Sequence, residues 1–104
     1  MLRGDIHALK LRGKGHEQQG RRYGVVVQST AMLPRSTVII APTSIGALSS
    51  SFRPEIEIDG VQTKVLVEQL GAVDVSRLGN VAGHASPEEM WGIDDSLRTV
   101  LALR

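Results

Sequence analysis

The sequence predicts a mainly β domain, an antiparallel barrel or curled sheet that carries one C-terminal helix. Three observations predict it. Short β-branched runs, Val25-Val26-Val27 and Val38-Ile39-Ile40, recur between turn signals with no helical pattern intervening. A segment at Pro54–Ile58 alternates apolar and acidic residues, as a strand with one wet face does. Near the end, Ser86-Pro87-Glu88-Glu89 is a helix start, followed by an apolar stripe at helical spacing. At 104 residues the chain fits a single domain spanning 1–104.

Taken in order, Asp5–Leu11 reads as a first strand with imperfect alternation. Residues 12–21 are polar, hold three glycines and no aliphatic side chain, and so form a loop. Tyr23–Gln28 and Thr37–Ala41 are strands, the second ended by Pro42, which brings no N–H to a ladder. Thr43–Phe52, with Gly46 and three consecutive serines, reads as a flexible loop. Pro54–Ile58 is a strand closed by the turn dipeptide Asp59-Gly60. Lys64–Leu70 is another strand, and a short one is expected at Asn80–Gly83. In the helix, Ser86 is the N-cap and Glu89 completes a capping box. Met90, Ile93, Leu97, Val100 and Leu101 form the stripe that packs on the core.

Composition narrows the chemistry. There is no cysteine, so disulfide scaffolds, cysteine-bearing zinc sites and thiol catalysis are excluded. No apolar run approaches the roughly 18 residues that span a bilayer. The N-terminus has no apolar segment ahead of a small-residue cleavage site, so no signal peptide is expected and the cytoplasm is the expected compartment. His7, His16 and His84 form no i, i+4 pair and no ligand pattern with carboxylates, so no metal and no cofactor are expected. Gly13-Lys14-Gly15 lacks the further glycine of a dinucleotide loop, no phosphate-binding Walker loop exists, and Ser49-Ser50-Ser51 is no nucleophile elbow. The net charge of +1 hides an asymmetry. Residues 1–36 carry seven basic and two acidic side chains, hence +5, and the remainder carries five basic and nine acidic, hence −4. A basic half of this kind suits a phosphate-bearing partner.

The loop before the valine run concentrates that chemistry. Arg12, Lys14, His16, Glu17, Gln18, Gln19, Arg21 and Arg22 bring anion binders, a group titrating near neutrality, a carboxylate and two amides. A solvated hairpin loop would also be polar. Paired glutamines suited to base edges, and an arginine at the mouth of a rigid strand, favour a ligand site instead.

Gly15-His16-Glu17-Gln18-Gln19-Gly20-Arg21-Arg22, leading into Val25-Val26-Val27, resembles the signature of the MazF/PemK-like toxin endoribonucleases. Arg3-Gly4-Asp5-Ile6, Ile40-Ala41-Pro42-Thr43-Ser44, and Val65-Leu66-Val67-Glu68-Gln69-Leu70 with Val73-Asp74 resemble further family segments in the same order. The resemblance implies an SH3-like small barrel of the CcdB/Kid/MazF type. It implies a homodimer that cuts single-stranded RNA (messenger, transfer or ribosomal) without metal, and a cognate antitoxin with an acidic tail that blocks it. It assigns catalytic roles to Arg22, Thr43 and Glu17. His16, Gln18, Gln19, Lys14, Arg12, Arg21, Ser44, Glu68 and Gln69 would contact RNA. The chain departs from the pattern at four places. Tyr23-Gly24 replaces the proline after the key arginine, which should loosen the start of that strand. His7 stands where many members carry Trp, Pro42 directly precedes Thr43, and Leu66 occupies a position that one branch gives to Arg. Glu17, Glu68 and His16 are all possible proton carriers, and the sequence does not rank them. Two other classes stay open, a non-catalytic RNA-binding barrel and a gyrase-poisoning toxin on the same fold. The three aromatic residues, Tyr23, Phe52 and Trp91, make a poor stacking platform. The terminal Leu101-Ala102-Leu103-Arg104 lacks the Trp-Gly-x-Ile-like end of the gyrase poisons.

Overall fold

The computed structural model describes residues 1–10 and 22–104. Among these residues seven strands form, namely β1 (Asp5–Leu9), β2 (Tyr23–Val26), β3 (Thr37–Ser44), β4 (Glu55–Ile58), β5 (Val61–Val65), β6 (Gly71–Asp74) and β7 (Leu78–His84). One helix, α1 (Pro87–Leu101), follows. Every strand pairing is antiparallel, in the order β4-β5-β3-β2-β1-β7, with β6 paired to β3. The sheet curls into a half-barrel because β3 serves two partners along one edge. It pairs with β6 from Thr37 to Ile40 and with β5 at Thr43 and Ser44.

The unbroken valine run in β2 follows from this curl. Successive side chains point to opposite faces, and here both faces are buried. Val25 and Val27 enter a core with Ile6, Ala41, Ile56, Ile58, Val65, Val67 and Ile93. Val26 enters a second core with Val38, Ile40 and Leu78. Gly24 faces the second core, where a Cβ would stand 2.9 Å from Ile40 Cδ1 and 3.3 Å from Leu9 Cδ2. Its neighbour Tyr23 and the preceding backbone are held from both sides. Leu9 N–H donates to Arg22 O at 2.9 Å and Thr43 Oγ1 donates to Tyr23 O at 3.2 Å. The loosening expected from the missing proline is therefore not found.

Three other expectations are corrected. Pro42 does not end its strand, since β3 runs on to Ser44. Val27 N–H bonds to Ile39 O, so the odd residues of β3 face β2 and Pro42 turns its missing N–H the other way. That gap falls where the edge passes from β6 to β5, and the Pro42 carbonyl accepts the Leu66 N–H there at 2.8 Å. Lys64–Leu70 is not one strand. β5 ends at Val65, and Val67–Gln69 is a short 3₁₀ turn leading to β6. Leu101 leaves the helix stripe and is 48% exposed, because the chain leaves the helix through Ala102 in the left-handed conformation.

The remaining elements match their local signals. Asp59 and Gly60 have φ of 51° and 80°, and the turn they form joins Ile58 to Val61. Glu89 N–H donates to Ser86 Oγ at 3.0 Å and Ser86 N–H to Glu89 Oε1 at 2.9 Å, completing the capping box. Met90, Ile93, Leu97 and Val100 pack on the first core. Arg3 ties the chain start to the helix, its Nη2 lying 2.8 Å from Asp94 Oδ1 and its Nε donating to Val27 O. No helix among the described residues is long and apolar enough to cross a membrane.

Ile93 is fully buried at the centre of the first core, so Ile93→Ala should lower stability by about 2–5 kcal/mol. Ser86→Ala removes only the cap and should cost about 1 kcal/mol. Urea unfolding of both variants checks the ranking, and an equal loss in the two would contradict the packing described.

Candidate active site

The start of β2, the second half of β3 and the 3₁₀ turn at Val67–Gln69 meet at one end of the half-barrel. Arg22 is exposed at the mouth of β2, and its Nη1 donates to Thr43 O at 3.4 Å. Thr43 is paired with Val65, whose N–H donates to Pro54 O at 2.8 Å. Leu66, next along, bonds to Pro42. These backbone bonds place Glu68 a few residues beyond the ladder partner of Thr43, and Arg53 directly before Pro54.

Thr43 is almost wholly buried, at 2% exposure, and its hydroxyl donates to the Tyr23 carbonyl. Together with the Arg22 contact, this locks the start of β2 to the far half of β3. Ser44 is half-buried, paired with Lys64. Gln69 is exposed at the end of its turn. Glu68 is joined to Arg53, which donates to Oε2 from Nε at 3.0 Å and from Nη2 at 2.6 Å. The hydrogen bonds from Arg53 hold the Glu68 carboxyl below the ordinary glutamate range, outweighing the opposing effect of burial.

Arg12, Lys14, His16, Glu17, Gln18, Gln19 and Arg21 lie outside the described residues. The structure thus brings Arg22 and Thr43 into contact and sets Glu68 on a neighbouring element. Arg53 was missed by sequence reasoning, since a lone arginine before a strand carries no signal of its partner 15 residues away.

The other two histidines take structural positions. His7 is 8% exposed, with Nδ1 3.0 Å from Gly79 O, and His84 Nδ1 lies 2.8 Å from Asp5 Oδ1. Among the described residues no group of three histidine or acidic side chains is placed to hold a metal ion.

The arrangement suits an anion. An exposed guanidinium beside a backbone carbonyl has further donors whose planar fork matches two oxygens of a phosphate. Comparison with known proteins gives this geometry its context. The fold matches an endoribonuclease solved in complex with its cognate antitoxin from a mycobacterial species, with a TM-score of 0.82 at 18% identity, covering 100% of this chain and 97% of that one. It also matches a chain of a MazE–MazF structure from Deinococcus radiodurans, with a TM-score of 0.81 at 22% identity and coverages of 100% and 97%. In sequence, a candidate toxin of Mycobacterium tuberculosis is 35% identical over 91 residues, which is 86% of this chain and 85% of that protein. The family described as PemK-like, MazF-like toxin of type II toxin-antitoxin system matches residues 2–101, and this chain belongs to it.

Proposed function

We propose that the chain is an endoribonuclease that cuts single-stranded RNA by attack of the 2′-OH on the adjacent phosphate. The contact between Arg22 and Thr43 carries this reading. It sets side by side the two residues, Arg22 and Thr43, to which the family resemblance assigns catalytic roles. RNA supplies its own nucleophile, so the protein needs a base for the 2′-OH, charge stabilisation and a proton for the leaving oxygen. The 2′-O–P bond forms, the P–O5′ bond breaks, and the products are a 2′,3′-cyclic phosphate and a 5′-OH. Arg22 stabilises the added negative charge. Its role is that of a charged hydrogen-bond donor with a planar fork. Thr43 lies beside it, and its hydroxyl reaches a phosphate oxygen only by exchanging the Tyr23 carbonyl for it. Glu17, with His16, is left to carry protons. Gln18, Gln19, Ser44 and Gln69 line the RNA path, and Arg12, Lys14 and Arg21 add phosphate affinity. No step in this scheme calls on a metal.

The reading extends to partners. Two of the similar structures hold a toxin with its antitoxin. A homodimer acting in the cytoplasm, blocked by a cognate antitoxin whose acidic tail meets the basic segment, is the corresponding assembly here. The segment's charge of +5 suits both RNA and such a tail.

Purified protein incubated with RNA in EDTA should leave 5′-OH ends that can be mapped. Activity that vanishes on chelation and returns with one divalent ion would overturn the scheme. Arg22→Lys keeps the charge and loses the planar fork, so cleavage should fall by about 10²-fold or more with folding and RNA binding retained. Arg21→Ala should chiefly weaken binding. An active Arg22→Lys beside a folded but inert Arg21→Ala would reverse the two assignments.

A further inference from the structure

We propose that Lys64 is a second phosphate-binding residue, holding the RNA phosphate next to the one that Arg22 meets, and that Glu55 beside it limits how tightly RNA is held. The inference deepens the reading of the chain as an RNA-cutting enzyme and rests on it.

Three strand pairings set four side chains in one row across the sheet. Gly24 pairs with Pro42, so the same antiparallel register carried two residues further sets Arg22 opposite Ser44. Ser44 pairs with Lys64, and Lys64 pairs in turn with Glu55. Side chains alternate along a strand, so the buried residues of each strand fix which face the row takes. Ala41, Val65 and Ile56 enter the first core, and Ser44, Lys64 and Glu55 therefore point away from it. Gly24, two residues from Arg22, faces Ile40 and Leu9 on the second core, which puts Arg22 on the same side as the other three. The Arg22 guanidinium reaches the Thr43 carbonyl, immediately before Ser44, in keeping with this placement. Adjacent strands lie about 4.8 Å apart, so the backbones of Arg22 and Lys64 stand about 10 Å apart with Ser44 between them.

Lys64 is a cation with a loose partner. Its side chain is 16% exposed, so the stem lies down on the sheet, while Nζ is not sealed from solvent. Glu55 Oε2 stands 3.9 Å away, beyond hydrogen-bond distance, on a side chain that is 49% exposed. A pair so loose and so wet contributes little to folding. Arg53 is the contrast, since its donors are spent on Glu68 and on Leu48 O. A phosphate oxygen brings a negative charge within hydrogen-bond distance of Nζ, which makes it a better partner than Glu55. A single strand whose reacting phosphate lies at Arg22, and which follows the row past Ser44, carries its next phosphate towards Lys64. Lysine meets phosphate as a point charge, so the contact adds affinity and names no base. Glu55 acts the other way. Its carboxylate competes for the ammonium and repels the approaching strand.

The test measures Kd for a short single-stranded RNA carrying the site that the wild-type protein itself cuts, made uncleavable by a 2′-deoxy substitution at the cut. Lys64→Gln should raise Kd about fivefold or more and reduce the slope of log Kd against log salt by about 0.7, the loss of one phosphate contact. Lys64→Arg should stay near wild type in both. Glu55→Gln should move Kd the opposite way, tightening binding about twofold or more. A methylphosphonate at one of the two phosphates flanking the cut should weaken binding to the wild type and weaken binding to Lys64→Gln no further. A pair that only staples β4 to β5 would instead lower the melting temperature in Lys64→Gln and Glu55→Gln alike with Kd unmoved, and that result would overturn the proposal. So would equal tightening in Glu57→Gln, which removes a charge from the same strand away from Lys64, because the effect would then be one of net charge. Should Lys64→Gln not fold, a Glu55→Gln variant that binds no tighter than wild type overturns the proposal by itself. A wild-type protein that neither cuts nor binds RNA would overturn the endoribonuclease reading, a result distinct from a Lys64→Gln variant that binds as well as an active wild type, which sinks only the role given to Lys64.

Discussion

Strand β3 changes partner along one edge at Pro42, and that change decides where the candidate site forms. Up to Ile40 the edge carries β6, and from Thr43 it carries β5. A residue without an N–H is tolerated at the handover because no ladder bond is asked of it, and its carbonyl captures Leu66 instead. The β4–β5 hairpin then swings over the first core and brings the 3₁₀ turn with Glu68 towards Thr43. On the opposite edge of the same strand, Thr43 reaches back to Tyr23, and its carbonyl takes the Arg22 guanidinium. A local irregularity in one strand thus positions side chains from three separate segments.

The electrostatics follow from where this corner lies. Arg22 is exposed at the end of a basic segment, while Arg53 is tied to Glu68. The two arginines therefore differ in setting, one exposed beside the Thr43 carbonyl and the other tied to a carboxylate. Arg3 serves a third purpose, joining the first turn of the chain to α1 through Asp94 and the Val27 carbonyl. Position on the half-barrel, more than residue type, separates the three.

Elements governed by short-range chemistry were legible in the sequence. The capping box of α1 needs only Ser86 and Glu89, and the β4–β5 turn needs only Asp59 and Gly60. The segment after β5 was not legible, for a physical reason. Leu66 and Val67 are consecutive and both buried, a pattern that a strand between two cores and a tight turn share. β6 escaped notice because it is four residues long and half exposed, with alternation too brief to register. Within the site, the Arg22 assignment could be made from its motif, and the structure adds its contact with Thr43. The Arg53–Glu68 pair is a tertiary contact between residues 15 apart, and no local pattern announces it.

If the β3 corner holds the site in place, the Thr43 hydroxyl should matter more to cleavage than to folding. Thr43→Val keeps the shape and the strand and removes the bond to Tyr23 O. The loss of one hydrogen bond should cost about 1 kcal/mol, a fall of about 4–8 °C in melting temperature for a domain of this size. The decisive measurement is the single-turnover cleavage rate of this variant on RNA, taken well below its melting temperature. The account predicts a fall of about tenfold or more, since the start of β2, which carries Arg22, would lose its side-chain tie to β3. A folded Thr43→Val protein that cuts at the wild-type rate would contradict it.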